Sequence, residues 1–167
     1  PQSPVPGASA NLNPAVIAPD GAVWFTGQAG IVGRVDPSRH APGDPADVIE
    51  APRGRGPYGI TVTPDGDVYF ASLAGSYLGV IQTDGDRFQV IELDPPTPGQ
   101  GTRRVWSDSQ GVIWTSEWTA GQVGRYDPAA DSWQEWRLPG ESPQAYAVYV
   151  DARDDVWLSD FGSNAIA

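Results

Sequence analysis

The sequence is a succession of short apolar runs, each rich in β-branched and aromatic residues and bounded by Gly, Pro or Asp. Val68-Tyr69-Phe70 is one such run, and Pro64-Asp65-Gly66 precedes it. Asp-Gly between two β-rich runs is a strong hairpin signal, because both residues tolerate positive φ. No helical period of 3.6 residues runs through the chain. The pattern therefore predicts an all-β protein made of hairpins.

The hairpins return at a fixed interval. Their aromatic anchors recur every 45, 45 and 43 residues, at Trp24, Tyr69, Trp114 and Trp157. Each repeat also contains a third and a fourth apolar run, so each repeat has four predicted strands. Four antiparallel strands repeated at this period are typical of a β-propeller blade. A β-sandwich also has short strands, but it does not repeat one order of turns every 45 residues.

Residues 1–167 are accordingly predicted to form a partial β-propeller of about 3.5 blades. The predicted blade units are 13–51, 58–93, 103–138 and 146–167, the last of them incomplete. Propellers close with about four to eight blades, and an open propeller exposes sheet edges. We therefore expect the partner of this chain to be the remaining blades of the same protein or a second copy, which would give about seven blades.

Composition narrows the classes of partner. The formal net charge of −11 argues against nucleic acid, because binding phosphates requires a basic surface. No apolar run approaches the roughly 20 residues of a membrane-spanning helix. The chain has no Cys, which excludes disulfides and thiolate chemistry and leaves the compartment undetermined between secreted, periplasmic and cytoplasmic.

Residues 56–70 resemble the repeat of the streptogramin B lyase (virginiamycin B lyase) family, as do Val23–Thr26, Ile31–Val35 and Val156–Gly162. The resemblance covers nearly the whole chain and implies a seven-bladed propeller of about twice this length. For true lyases it implies a Mg²⁺-assisted elimination that opens the ester bond of a cyclic depsipeptide antibiotic. It also implies a His in a Pro-His-Gly-Ile segment and a Glu fourteen residues later. In this sequence Glu117 matches the Glu, Asp160 is a shorter version of it, and no equivalent position holds His.

Hairpin geometry predicts where a site would lie. Residues equally far before and after the Asp-Gly turn become neighbours at the other end of the hairpin, which rims one mouth of the channel. The predicted pairs are Asn13 with Gly27, Tyr58 with Ser72, Arg103 with Glu117, and Tyr146 with Asp160. A channel mouth with convergent polar groups is a typical ligand site. The predicted mouth also includes Trp118, Phe161 and Arg104.

Within this mouth, Glu117 is the candidate catalytic residue and Mg²⁺ ligand. The predicted substrate-binding residues are Tyr58, Ser72, Arg103, Trp118, Tyr146 and Asp160. Structural roles are alternatives for several of them. Arg103 and Glu117 would suit a cross-strand ion pair, and Asp160 and Tyr146 a carboxylate–phenol hydrogen bond. Trp118 departs from the repeat phase, which favours stacking on a ligand.

Other conspicuous residues are predicted to be structural. His40, the only histidine, is expected on a solvated loop far from the mouth, with no second metal ligand nearby. Trp24, Trp114 and Trp157 are expected in the core between blades, because they keep the repeat phase. Asp20, Asp65 and Asp154 are expected to be turn residues.

Two functions follow from the sequence. The first is a propeller segment that binds a small cyclic peptide, another ligand or a protein partner at the channel mouth. The alternative is a Mg²⁺-dependent lyase acting on a streptogramin B-type depsipeptide, with its catalytic His supplied by blades outside this chain. Fold alone does not choose between them, since propellers carry unrelated activities on one scaffold.

Overall fold

The computed structural model of the chain describes residues 2–7, 9–85 and 87–167, and all regular elements in these ranges are β-strands. They form four separate antiparallel sheets, three with four strands and the last with three, each with strands in chain order. Blades 1 and 2 contain β1 (Leu12–Ile17), β2 (Val23–Gly27), β3 (Ile31–Val35), β4 (Asp47–Glu50), β5 (Pro57–Val62), β6 (Val68–Ser72), β7 (Tyr77–Asp84) and β8 (Arg87–Leu93). Blades 3 and 4 contain β9 (Thr102–Ser107), β10 (Ile113–Glu117), β11 (Gln122–Asp127), β12 (Ser132–Arg137), β13 (Ala145–Val150), β14 (Val156–Asp160) and β15 (Ala165–Ile166). The predicted partial propeller is confirmed.

The first strand of each blade is the innermost one. Strands β1, β5, β9 and β13 contact one another in a row, while each occupies the edge of its own sheet. These strands therefore line the channel side. The end at which they begin is the mouth predicted to hold the site, and the hairpin turns lie at the opposite end.

The turn between the first and second strands has a residue with positive φ in every blade, and this residue is Gly in three blades and Asp in the fourth. Gly21, Gly66 and Gly111 have φ of +87°, +97° and +79°, and in blade 4 Asp154 takes their place with φ of +62°. The turn hydrogen bonds agree, since Gly21 N donates to Ala18 O and Asp154 N donates to Asp151 O. Asp154 is thus a turn residue, as predicted, but it stands in the glycine position and not in that of Asp65. Glycine adopts this left-handed backbone without the cost that other residues incur.

The core lies between neighbouring blades, in three apolar clusters. Trp24 is 3% exposed and packs with Ile60 and Phe70 of blade 2. Trp114 is partly buried and packs against the cluster between blades 3 and 4. The prediction for Trp157 was wrong, because it is 45% exposed. Its face of blade 4 has no further blade against it in the described residues.

A glycine in the third strand lets an aromatic ring pack flat against the sheet. Gly33 pairs with Phe25 and Gly79 with Phe70, and a Cβ at either glycine would overlap the phenyl ring. In blade 3 the same place beside Gly124 is filled by the Thr115 hydroxyl and the Glu117 carboxyl. The repeated Gly of the third strand is therefore a packing requirement of the blade.

Candidate functional site

Each innermost strand contains a β-bulge near its start. In blade 3, Ser116 pairs with Arg104 and Glu117 pairs with Thr102, so Arg103 has no partner across the strand. The register shifts at the equivalent place in the other three blades. The predicted cross-strand pairs were therefore wrong by one residue. The observed partners are Leu12 with Gly27, Pro57 with Ser72, Thr102 with Glu117, and Ala145 with Asp160.

The bulge positions coincide with the first-strand residues predicted to ring the mouth, which are Asn13, Tyr58, Arg103 and Tyr146. A bulge re-aims side chains and is over-represented next to active sites. Two hydroxyls of the preceding blades hold this backbone in place. Thr26 donates to Tyr58 O at 2.6 Å, and Ser116 donates to Tyr146 O at 3.1 Å. Sequence reasoning missed both supports, although each lies two residues after the aromatic anchor of its hairpin.

Arg103 is the centre of the mouth. The carbon at the centre of its guanidinium lies 4.0 Å from the ring centroid of Tyr146, 4.6 Å from that of Tyr58 and 5.2 Å from that of Trp118. Its Nη2 also donates a hydrogen bond to the Tyr58 hydroxyl at 3.1 Å. A guanidinium within about 6 Å of an aromatic face is attracted to it. Tyr58, Arg103, Trp118 and Tyr146 thus converge as predicted.

Two further side chains extend this arrangement. Arg104 stacks on Tyr58, at 4.8 Å from the ring centroid. Phe161 lies 5.5 Å from Trp118 and 6.2 Å from Tyr146, measured between ring centroids, and is 68% exposed. We call Tyr58, Arg103, Arg104, Trp118, Tyr146 and Phe161 the mouth cluster. A cavity of about 530 Å³ begins at Tyr146 and Phe161 and continues along blade 4.

The close approach of β5 and β9 brings Tyr58 to the two arginines. Gly59 permits it, because a Cβ there would lie 2.8 Å from Arg104 Cα and 3.0 Å from Arg103 O. Such distances to backbone atoms leave no room for a side chain. Gly59 is therefore required by the contact between the two innermost strands.

The mouth cluster carries positive potential. The pKa of the Tyr146 phenol is lowered, first by a hydrogen bond from Arg103 and then by the charges of Arg103 and Arg104. Nearby positive charge favours a phenolate over a phenol. Tyr146 is consequently a more acidic phenol, and a better hydrogen-bond donor, than an isolated tyrosine.

Glu117 lies inside the propeller and not at the mouth. Its side chain is fully buried between β10 and Gly124, where Thr115 Oγ1 lies 3.4 Å from Oε1. Burial raises the pKa of this carboxyl to about 7, and the charge of Glu135 adds to the effect. The suggested ion pair with Arg103 is not formed among the described residues. The catalytic and metal-binding role of Glu117 stays a prediction.

Ser72 and Asp160 are also buried. Ser72 lies beside Gly56 and Gly75 of its own blade, away from the ring of the bulge residues. Asp160 accepts hydrogen bonds from the backbone N of Gln144 at 2.7 Å and of Gly162 at 3.0 Å. A hydrogen bond from the Ser163 hydroxyl, followed by these two backbone bonds, lowers the Asp160 pKa. Asp160 thus orders the loop around β14 and lines the cavity beside Tyr146, and no hydrogen bond joins it to the Tyr146 phenol among the described residues.

His40 lies between β3 and β4, at the turn end of blade 1 and far from the mouth, as predicted. It is not solvated, however, because its side chain is only 10% exposed. Asp36 N lies 3.1 Å from Nδ1, and Nε2 lies 3.6 Å from Asp47 Oδ1. The histidine therefore orders its own loop.

The described residues do not fit the Mg²⁺ that the family resemblance implies. They contain no group of three or more His, Asp or Glu side chains arranged to hold a metal ion. Mg²⁺ requires several oxygen ligands in near-octahedral geometry, whereas the Glu117 carboxylate is packed against Gly124 in the interior. We therefore derive no catalytic step through a metal in this chain.

Comparison with known proteins agrees with the repeat and its geometry. The model of the virginiamycin B lyase family matches residues 2–167. The chain belongs to the virginiamycin B lyase family. A search of curated proteins found no match to this family member.

Solved structures share the fold. A streptogramin B lyase is 25% identical to this virginiamycin B lyase family chain, with a TM-score of 0.82 over 96% of this chain and 51% of its own. A catalytically inactive virginiamycin B lyase from Staphylococcus aureus with quinupristin is 23% identical, with a TM-score of 0.57 over 96% of this chain and 67% of its own. A gluconolactonase from Xanthomonas campestris is 18% identical, with a TM-score of 0.71 over 95% of this chain and 57% of its own.

This family member spans about half the length of the streptogramin B lyase that it matches. In the part of the chain that the structure describes, no helix has the length and apolar character needed to cross a membrane.

Proposed function

We propose that this chain is the ligand-binding part of a virginiamycin B lyase-like propeller and that its ligand binds at the mouth cluster. The proposal rests on the position of Arg103. The central carbon of its guanidinium lies 4.0–5.2 Å from the ring centroids of Tyr58, Trp118 and Tyr146. Flat aromatic faces around a fixed cation are suited to a ligand that combines apolar surface with polar groups.

The two ends of the propeller segment differ in a way that supports this proposal. At the turn end the blades repeat one device, a tight turn with a left-handed residue. At the mouth the four bulge positions hold three kinds of residue, since only the two tyrosines are alike: Asn13, Tyr58, Arg103 and Tyr146. A structural device is the same in each blade, whereas an asymmetric ligand requires different groups around it. The exposed ring of Phe161 adds an apolar contact without a role in the core.

Membership of the lyase family favours a second candidate, the Mg²⁺-dependent opening of a streptogramin B-type cyclic depsipeptide by elimination. An elimination needs a general base with a pKa near the working pH, commonly a histidine. His40 is the only histidine of this sequence and lies at the turn end. A lyase of this type would therefore have to draw its histidine and metal ligands from blades outside this sequence.

Calorimetric titration with quinupristin tests the binding proposal. We expect binding by the unmodified chain and a loss of affinity of tenfold or more in Trp118→Leu, because Trp118 contacts Arg103, Tyr146 and Phe161. Trp136→Leu is the matched control, since Trp136 is a partly exposed tryptophan on the outermost strand of the same blade. Equal losses in both variants, or no loss in Trp118→Leu, would contradict a site at the mouth.

Mass spectrometry of the same mixtures separates the two candidates. Elimination opens the ring and gives a linear product of unchanged mass, which is resolved from quinupristin by its retention time. We expect unchanged quinupristin after incubation with this chain and Mg²⁺. Formation of the linear product would show that the chain is a lyase by itself.

A further inference from the structure

The arginines of the chain are unevenly paired with carboxylates. The sequence has ten Lys and Arg residues against 21 Asp and Glu, and all ten of them are Arg. Five lie within 4.0 Å of a carboxylate oxygen: Arg34, Arg39, Arg53, Arg125 and Arg153. Among the described residues, the other five have no such partner, and of these only Arg103 and Arg104 are partly buried, whereas Arg55, Arg87 and Arg137 are exposed. The two adjacent cations of the mouth thus lack counter-charges in a protein that has an excess of acidic groups.

The two guanidiniums contact the same aromatic ring. Both stack on the ring of Tyr58, Arg103 at 4.6 Å and Arg104 at 4.8 Å from its centroid. Aromatic faces attract cations, but they do not neutralise them, so the like charges still repel each other. Arg103 Nε is moreover buried and has no hydrogen-bond partner among the described residues. An unpaired buried donor costs free energy that a structure usually avoids.

The geometry points to an organic anion as the ligand: we infer that the mouth cluster binds a carboxylate attached to an aromatic ring. Guanidinium groups present a planar set of donors that matches a carboxylate, and the pair is stronger than a neutral hydrogen bond. The rings of Trp118 and Phe161 supply the apolar surface for the aromatic part. This inference rests on the proposed function, since it names the chemical class of the ligand at the same site.

The test compares two ligands of nearly the same shape and different charge, 2-naphthoate and its neutral amide, 2-naphthamide. By calorimetry at low salt, we expect 2-naphthoate to bind at least tenfold more tightly than 2-naphthamide. Its affinity should fall as NaCl is raised from 50 to 500 mM, because salt screens the attraction between exposed charges. Equal affinities for the two compounds would overturn the inference.

Substitutions of the two arginines test which of them binds the carboxylate of 2-naphthoate. Arg103→Gln should weaken 2-naphthoate binding at least tenfold, and Arg104→Gln should weaken it less, since Arg104 has one aromatic contact and Arg103 has three. Arg87→Gln is the control, because Arg87 is an exposed arginine on β8 near the turn end of blade 2. Circular dichroism melts verify that each variant is folded. If Arg103→Gln does not fold, Arg103→Lys replaces it and should still bind 2-naphthoate several-fold more weakly, because Lys lacks the planar fork. Unchanged binding in folded Arg103 variants would overturn the inference.

The outcomes separate this inference from the proposed function. Binding of quinupristin and 2-naphthamide as tight as that of 2-naphthoate would leave a ligand site at the mouth and remove its preference for anions. Binding of none of the three would remove both. Inorganic phosphate that competes fully with 2-naphthoate at similar concentration would show a site for bare anions, which contradicts the assignment to aromatic carboxylates.

Discussion

At the scale of single residues, Arg103 shows how one side chain acquires a fixed position at a surface. Arginine has many rotamers, and ordering such a side chain costs about 1.5–2 kcal/mol. Here three aromatic faces and the hydroxyl of Tyr58 hold the guanidinium. Because these contacts already order the Arg103 side chain, a ligand that binds it would lose less conformational entropy on binding.

Glu117 provides a residue-scale prediction of pH dependence. Burial raises its pKa to about 7, so the folded protein prefers the protonated carboxyl more strongly than the unfolded chain does. The stabilising effect of that proton is complete below the ordinary pKa of 4.5 and is lost as the pH rises from 4.5 to 7. Glu117→Gln should therefore be more stable than the unmodified protein above pH 7, by up to about 3 kcal/mol at 1.4 kcal/mol per pKa unit.

Urea melts at pH 4.5 and pH 8 check this prediction. We expect the two proteins to differ little at pH 4.5, where Glu117 is largely protonated when folded, and to diverge at pH 8. Glu141→Gln is the control, because Glu141 is exposed and should show no such divergence. A Glu117→Gln variant that is less stable at pH 8 would mean that the ionised carboxylate is stabilised by groups that the structure does not place beside it.

At the scale of elements, the strands and turns were predictable and the bulges were not. The Asp-Gly turns and the run of apolar residues specify the hairpin locally, and both are visible in the sequence. A bulge inserts one residue into one strand and shifts the alternation there, but these bulges lie so near the strand starts that too few residues precede them for the apolar pattern to show the shift. Counting from the turn therefore placed Arg103 opposite Glu117, whereas Glu117 pairs with Thr102.

The same one-residue shift explains which of the predicted site residues lie together in the structure. The bulge residues Tyr58, Arg103 and Tyr146 meet at the mouth with Trp118. The second-strand residues paired with them in the prediction, Ser72 and Glu117, are buried. Periodicity gives the face of a side chain relative to its sheet, but burial between two blades depends on the neighbouring blade, which local sequence does not specify.

The third-strand glycine gives a prediction for the blade as a packing unit. Gly79→Ala should destabilise the protein by about 1–3 kcal/mol, as overpacking of a core does. The added methyl would overlap the ring of Phe70, which is fully buried. Chemical denaturation of Gly79→Ala, Phe70→Leu and the double variant measures the coupling between the two positions.

If the account of the blade is correct, the double variant is more stable than the sum of the two single effects implies, because leucine leaves room for the methyl group. Strict additivity would show that the cost of Gly79→Ala arises from the backbone and not from the phenyl ring.

At the scale of the whole molecule, blade 4 leaves one apolar face uncovered among the described residues. Trp157 occupies the position that Trp24, Tyr69 and Trp114 use to pack against the next blade, and it is the most exposed of the four. Neighbouring Tyr149 is exposed too. Apolar surface of this kind is a site of protein contact. We propose that further blades, or a second copy of the chain, cover it.

For the isolated chain, we expect concentration-dependent self-association in light scattering. Trp157→Glu should shift the particles toward the 17.7 kDa monomer, because the charge would have to be buried in the contact. The control is Trp136→Glu, which places the same charge on an exposed tryptophan of the outermost strand of blade 3. A 17.7 kDa monomer at all concentrations, or equal effects of both variants, would contradict this use of the uncovered face.

Two-dimensional ¹H–¹⁵N NMR of the labelled chain tests most directly whether ligands bind at the mouth cluster and not at the turn end. On titration with quinupristin or 2-naphthoate, we predict the largest shift changes for the indole N–H of Trp118 and for the backbone N–H groups of Arg103, Tyr146 and Phe161. The backbone N–H groups of Gly21, Gly66 and Gly111 at the hairpin turns should remain unchanged. Larger changes at those three glycines than at the mouth would contradict the account.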